Sequence, residues 1–130
     1  MKHITKLVVA LTVASLLLIG PGASAITSVN TSLKLTASKT QVQKGGKVTF
    51  TIVLKSPKAK CIKGMPIRWY RNGVFKKIYT TNNNGKVSFT KTVKATSKYF
   101  AKFAGKKVGT HPNRLNCEPS VSGTVKITVK

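Results

Sequence analysis

Apolar and polar residues alternate along most of the chain after residue 30, and this pattern constrains the fold more than any motif does. Successive side chains of a β-strand point to opposite faces, so alternation indicates strands with one buried and one solvent-facing side. The segments predicted as strands are 33–37, 48–54, 67–70, 74–81, 87–93, 99–104 and 125–129. No segment has the period of an amphipathic helix. We therefore predict an all-β protein, an antiparallel β-sandwich of about seven strands.

The chain is almost devoid of acidic residues. Of its 130 residues, 24 are Lys or Arg and one is acidic, Glu118, so the formal net charge is +23. Paired catalytic carboxylates, oxygen-ligated Ca²⁺ or Mg²⁺ sites and a Ser-His-Asp triad all need more acidic side chains than this. We expect no enzyme activity, no cofactor and no metal. The charge instead predicts long-range attraction of anions.

The first 25 residues have the features of a secretory signal peptide. Lys2 and Lys6 precede an apolar run over 7–19, and Ala23-Ser24-Ala25 matches the small-residue cleavage pattern. The alternative is a transmembrane anchor, but the run is short for a bilayer and ends in the helix breakers of 20–22. We predict cleavage after Ala25.

The remaining residues, 26–130, have the length of one domain. We expect a secreted, extracellular protein with no integral membrane segment after cleavage, and its charge would allow electrostatic retention at the cell surface. An even pair of cysteines, Cys61 and Cys117, predicts a disulfide in an exported protein. The disulfide would close a loop of about 56 residues, which contributes about 3–4 kcal/mol to the free energy of unfolding in the chain-entropy model.

Several short motifs follow one another in order over nearly all of 26–130. They lie at 33–37, 46–51, 64–67, 84–90, 99–105 and 125–129. Their order and spacing resemble a bacterial immunoglobulin-like (Ig-like) domain of secreted and surface proteins. The resemblance implies an Ig-like β-sandwich with Trp69 in the core and Tyr99 at the tyrosine-corner position.

The cysteines depart from the antibody pattern. Phe50 or Ile52, together with Ala101, stand where the inter-sheet cysteine pair of an antibody domain would be. Cys61 and Cys117 lie instead in the connections after the second and the sixth strands. The resemblance implies that these two connections share one pole of the sandwich, where a disulfide would join them.

Basic residues surround both cysteines. The candidate anion-binding residues are Lys58, Lys60, Lys63, Lys106, Lys107 and Arg114, with Lys55 and His111 nearby. The connection over 105–120 is also long, and long loops in compact domains are often functional. A disulfide would gather these cations into a site for nucleic acid, teichoic acid or another acidic glycan. The alternative is an ordinary solvated surface on a protein that is rich in lysine everywhere.

Three further groups of residues have a functional and a structural interpretation. The aromatics Tyr70, Phe75, Tyr79 and Phe100 could interleave with Arg68, Arg71, Lys76, Lys77 and Lys102 on one sheet face, as in single-stranded nucleic-acid binders, or could fill the core and the edges. The absence of OB-fold and RRM patterns favours the second interpretation. Similarly, Ile62, Met65 and Leu115 either cover the disulfide or form an exposed patch.

A cysteine protease built on Cys61, His111 and Asn113 or Asn116 would need a free thiol, which disulfide formation removes. Zinc binding lacks a C-x-x-C pair. Our leading hypothesis is therefore a secreted, monomeric, non-enzymatic binding module for an anionic partner: cell-envelope polymer, acidic glycan or extracellular nucleic acid. The first alternative is an adhesion or accessory domain that binds a surface protein. The second is a cationic antimicrobial or toxin-like protein, against which the lack of an amphipathic helix counts.

Overall fold

The computed structural model describes residues 26–130, so the predicted signal peptide lies outside the described residues. Strands make up most of this part of the chain, and the all-β class predicted from the alternation is confirmed. The strands are β1 (Thr27–Val29), β2 (Ser32–Ala37), β3 (Gln41–Val42), β4 (Gly46–Lys55), β5 (Pro66–Arg71), β6 (Val74–Thr80), β7 (Lys86–Val93), β8 (Ser97–Phe103), β9 (Lys106–Val108), β10 (Leu115–Cys117), β11 (Ser120–Val121) and β12 (Val125–Val129). One turn of 3-10 helix, Ala59–Cys61, lies between β4 and β5.

Two sheets form the sandwich. The smaller sheet has the order β2-β4-β7, and the larger has the order β3-β12-β8-β5-β6, with β11 paired to β8 beyond β12. Their pairings are antiparallel except for β3 with β12, which is parallel. A third, small sheet has the order β1-β10-β9. It lies at the end of the domain where β4 finishes, and it carries the second cysteine.

The core lies between the two large sheets and follows the alternation. On β4, Val48, Phe50, Ile52 and Leu54 are all fully buried, as is Ile67 on β5 of the opposite sheet. The intervening residues of β4 are exposed or half-buried, so only one face of the strand is buried. Burial of that apolar face stabilises the fold by about 25 cal/mol for each Å² removed from water.

Trp69 occupies the centre of this core, as the resemblance implied. It is 2% exposed, lies 4.8 Å from Phe50 between ring centroids, and stacks on Tyr99 at 5.2 Å. Tyr99 is also buried, at 3% exposure. Phe50, Ile52 and Ala101, the residues for which the resemblance implied the positions of the antibody cysteine pair, are all fully buried apolar residues of the core.

The hairpin between β5 and β6 contains a β-bulge. Asn72 and Gly73 both have positive φ, at 52° and 80°, as a two-residue hairpin turn of type I′ requires. The pairing then shifts by one residue. Tyr70 lies opposite Phe75, but Trp69 lies opposite Lys77, so that Lys76 is the extra residue. The bulge therefore puts Phe75 and Ile78, three positions apart, on the same side of the sheet.

Gly85 lies in the turn before β7. Its φ is 78°, and a Cβ at this position would collide with the carbonyl oxygen of Leu54. Gly73 has a similar φ of 80° but open space around it. We expect Gly73→Ala to cost about 1–2 kcal/mol of unfolding free energy from the backbone alone, and Gly85→Ala at least about twice that. Urea denaturation followed by the fluorescence of Trp69, the single tryptophan, would measure both. Equal losses would show that the collision at Gly85 relaxes without cost.

Candidate anion-binding pole

A disulfide joins two segments that are far apart in the sequence. Cys61, at the end of the 3-10 turn, bonds to Cys117 on β10 across a sequence separation of 56 residues, with the two Cα atoms 5.5 Å apart. Both cysteines are fully buried. The disulfide predicted from the sequence is therefore present, and neither sulfur is a free thiol that could act as a nucleophile.

The 3-10 turn fixes the lysines around Cys61. The backbone N–H of Cys61 donates to the carbonyl of Lys58 at 3.0 Å, and the N–H of Lys63 donates to that of Ala59 at 3.2 Å. The buried hydroxyl of Thr81 ties this turn to the sandwich, because it donates to the carbonyl of Ile62 and accepts from the N–H of Met65 at 2.8 Å. The backbone positions of Lys58, Lys60 and Lys63 therefore follow from a hydrogen-bonded turn rather than from a free loop.

Most of the connection that follows β8, over 105–120, forms a hairpin of two short strands. Strands β9 and β10 pair antiparallel, with Lys106 opposite Cys117 and Lys107 opposite Asn116. Strand β1 then pairs with β10 in parallel, with Val29 opposite Cys117. The hairpin loop holds a cis His111-Pro112 peptide bond and a turn in which the N–H of Asn113 donates to the carbonyl of Thr110 at 2.8 Å.

We call the region around the Cys61–Cys117 disulfide that carries Lys58, Lys60, Lys63, Lys106 and Lys107 the disulfide pole. Lys106 and Lys107 are consecutive in β9, so their side chains leave opposite faces of the small sheet. All five side chains are exposed. Adjacent Cα atoms are about 3.8 Å apart and paired strand residues about 5 Å, so the Cα atoms of Lys60 and Lys106 lie within roughly 15 Å of each other across the disulfide. Arg114 is also exposed, but it precedes Cys117 by three residues and lies about 10 Å further along the hairpin.

The single acidic side chain lies beside the same disulfide. Glu118 is half-buried, and its Oε1 accepts a hydrogen bond from the side-chain amide of Asn116 at 3.3 Å. Its backbone is fixed as well, because its N–H donates to the carbonyl of Val29 at 2.9 Å and its carbonyl accepts from the hydroxyl of Thr31 at 2.7 Å. The disulfide pole therefore has five lysines and one nearby carboxylate, and it keeps an excess of positive charge.

The lysines of the disulfide pole present compact positive charges on flexible side chains. Lysine ammonium groups are strongly hydrated and attract phosphate or carboxylate without the bidentate geometry of arginine. Within 26–130, no three His, Cys, Asp or Glu side chains lie close enough together to hold a metal ion. In the same part of the chain, no helix is long and apolar enough to cross a membrane.

The apolar residues near the pole pack inward. Met65 is 4% exposed, and Ile62 and Leu115 are half-buried against the core. They pack against the core that includes both cysteines, and none of the three is among the exposed large apolar side chains of residues 26–130. Lys55 is exposed at the end of β4, and His111 is exposed in the hairpin loop.

The aromatic residues that the sequence grouped on one face are split between two. Tyr70, Phe75 and Phe100 point outward from the larger sheet, where Tyr70 stacks on Phe100 at 4.6 Å. Tyr79 points to the opposite side and stacks on Phe89 of β7 at 3.9 Å. The bulge at Lys76 causes this difference, because it reverses the alternation within β6.

The basic residues of that group are divided in the same way. Arg68 and Lys102 lie on the outward face, directly opposite each other on β5 and β8. Lys77 lies over the ring of Tyr79 at 5.1 Å, on the inner side. Arg71 and Lys76 line a cavity of about 100 Å³ beside Trp69 and Tyr99. Of the interleaved surface that the sequence analysis considered as the less favoured interpretation, only the outward part is therefore present.

Comparison with known proteins identifies the fold. No family model matches the chain, and no curated protein matches it. Among solved structures, it is similar to the solution NMR structure of the CARDB domain of PF1109 from Pyrococcus furiosus, with a TM-score of 0.55 and 11% sequence identity over 80% of this chain and 97% of that one. The class defined by this likeness and by the sheet order is an Ig-like β-sandwich domain. At this identity the likeness shows the fold alone.

Proposed function

We propose that the protein is a secreted, non-enzymatic Ig-like module that binds an anionic polymer through the disulfide pole. The observation that supports it most is the convergence of five exposed lysines, from two distant segments, on one buried disulfide. The candidate partners are cell-envelope polymer, acidic glycan and extracellular nucleic acid. Secretion rests on the signal peptide predicted over 1–25, with retention at the cell surface through the same charges.

The physical basis of binding would be the release of counterions. A polyanion loses condensed cations when lysines neutralise its charges, so the logarithm of the binding constant falls linearly with the logarithm of the salt concentration. Five contacts to duplex DNA give a slope of about −4 to −5. Because lysines carry no directional preference, the expected selectivity among polyanions comes from their charge spacing rather than from base or sugar identity.

Binding of the chain without residues 1–25 to duplex DNA, a purified anionic wall polymer and a neutral glycan, each over a salt series, tests the proposal. We expect both polyanions to bind at low salt and to bind more weakly as salt is added, duplex DNA with the slope given above, and the neutral glycan not to bind. Binding of one of the two polyanions should persist near physiological ionic strength. If both polyanions bind equally and are lost by physiological salt, the charge is only a solvated coat. The alternative of a protein partner would then be preferred.

A further inference from the structure

The outward face of the larger sheet carries a row of aromatic side chains. Phe75, Tyr70 and Phe100 lie side by side on β6, β5 and β8 according to the strand register. Tyr70 and Phe100 are stacked with nearly parallel rings, their centroids 4.6 Å apart and their planes at an angle of 4°. Phe75 meets Tyr70 edge to face at 5.9 Å, and it is 45% exposed.

A second row lies beside the first on the same face. Arg68 stands opposite Ile78 on one side and opposite Lys102 on the other, and Lys102 stands opposite Val121 of β11. Ile78 is 48% exposed and Val121 57%. Of the five large apolar side chains that are exposed in residues 26–130, three belong to these two rows, so exposed apolar surface is concentrated here.

The same face holds like charges directly opposite each other. Arg68 lies opposite Lys102, and Lys98 lies opposite Lys126 on β12. Directly opposed like charges destabilise a sheet. The one acidic side chain, Glu118, is hydrogen-bonded to Asn116 in the small sheet instead. Repulsion between these cations lowers the stability of the fold. A partner with complementary charges and apolar groups would offset this repulsion and cover the exposed apolar side chains.

We propose that this outer sheet face, defined by Arg68, Tyr70, Phe75, Ile78, Phe100 and Lys102, docks an acidic protein segment that also carries apolar side chains. Its carboxylates would meet Arg68, Lys98 and Lys102, and its apolar groups would cover Phe75, Ile78 and Val121. The Cζ atom of Arg68 lies 5.7 Å from the ring centroid of Phe75, so a carboxylate bound by Arg68 would lie next to an exposed apolar ring. This surface is distinct from the disulfide pole and goes beyond the proposed function.

Charge and ring geometry select this occupant over two others. A second copy of the chain would bring the same cations against each other, which its net charge of +23 opposes. Single-stranded nucleic acid needs free ring faces on which bases stack. Tyr70 and Phe100 cover one face of each other, and Phe75 lies against the other side of Tyr70. Ring edges and aliphatic groups framed by cations suit protein side chains better.

The test uses a short synthetic peptide in which Glu and Leu alternate, a version with Gln in place of Glu, and a single-stranded oligothymidine. Backbone NMR shifts of the domain locate each probe, and titration gives its affinity. Two face variants are compared: Arg68→Gln with Lys102→Gln, and Phe75→Ser with Ile78→Ser. Lys34→Gln with Lys44→Gln, at exposed positions elsewhere, matches the charge change of the first.

We expect shifts on β5, β6 and β8 with the Glu peptide, and each face variant to weaken it by about tenfold or more, whereas the control variant retains binding. Because the Arg68 and Lys102 change removes a like-charge pair, its melting temperature should stay the same or rise, which separates lost docking from lost folding. Shifts confined to the disulfide pole, equal binding of the Gln peptide, or tighter binding of oligothymidine on this face would each overturn the proposal. Failure here leaves the polyanion test of the disulfide pole unaffected.

Discussion

Replacing both cysteines, Cys61→Ala with Cys117→Ala, is expected to lower the free energy of unfolding by about 3–4 kcal/mol. The disulfide closes a loop of 56 residues, so its removal releases a large amount of chain entropy in the unfolded state. Alanine is the replacement of choice because both positions are fully buried and a serine hydroxyl would need a partner. Urea denaturation followed by the fluorescence of Trp69 measures the change.

The loss should depend on salt. The disulfide holds two lysine-bearing segments together, and repulsion between them is stronger at low ionic strength, where the screening length is long. We therefore expect the variant to regain part of its stability in added salt, more than the unmodified chain does. Reduction of the unmodified chain with dithiothreitol is the matching control. An unchanged thermal midpoint after reduction at low salt would refute the role given to the disulfide.

Reversing four charges of the disulfide pole is expected to abolish most polyanion binding. In Lys58→Glu, Lys60→Glu, Lys106→Glu and Lys107→Glu combined, each lost lysine contact should reduce the salt slope for duplex DNA by about 1. The affinity at low salt should fall by roughly a hundredfold or more. Titration of labelled duplex DNA over a salt series gives both quantities.

The control for this variant has the same net charge. Lys39→Glu, Lys44→Glu, Lys47→Glu and Lys94→Glu combined reverse four exposed lysines at the opposite end of the sandwich, where β4 begins. Binding through the pole predicts that this control keeps most of the slope and affinity. If the two variants lose binding equally, total charge and not the convergence at the disulfide determines binding, and the proposed site is wrong.

The predictability of the fold depended on strand length. Strands of five or more residues, such as β4 and β7, leave an alternating pattern that the sequence shows directly. Strands β1, β3, β9, β10 and β11 have two or three residues each, which is too short for alternation to be distinguished from chance. For this reason the sequence predicts a long loop over 105–120, whereas most of this segment forms a hairpin whose strand β10 pairs with β1.

The features of the candidate sites also differ in whether the sequence could predict them. Proximity of Lys60 and Lys106 follows from one long-range link, Cys61–Cys117, which the cysteine count predicted. The position of Arg114 follows from the register of β9 with β10, which no local pattern encodes. Strict alternation along β6 predicts that Phe75 and Tyr79 lie on the same side of the sheet. In the structure they lie on opposite sides, because β6 contains one extra residue, Lys76.

That extra residue also bears on how this domain can vary between relatives. Lys76 is exposed and unpaired in the ladder between β5 and β6, while the residues on either side of it keep their partners on β5. A relative that lacked this one position could keep every other pairing in the hairpin and the same inward and outward side chains. A one-residue gap at this position therefore preserves the register of the hairpin, and an alignment that forbids the gap would assign Tyr79 and Ile78 to the wrong sides of the sheet.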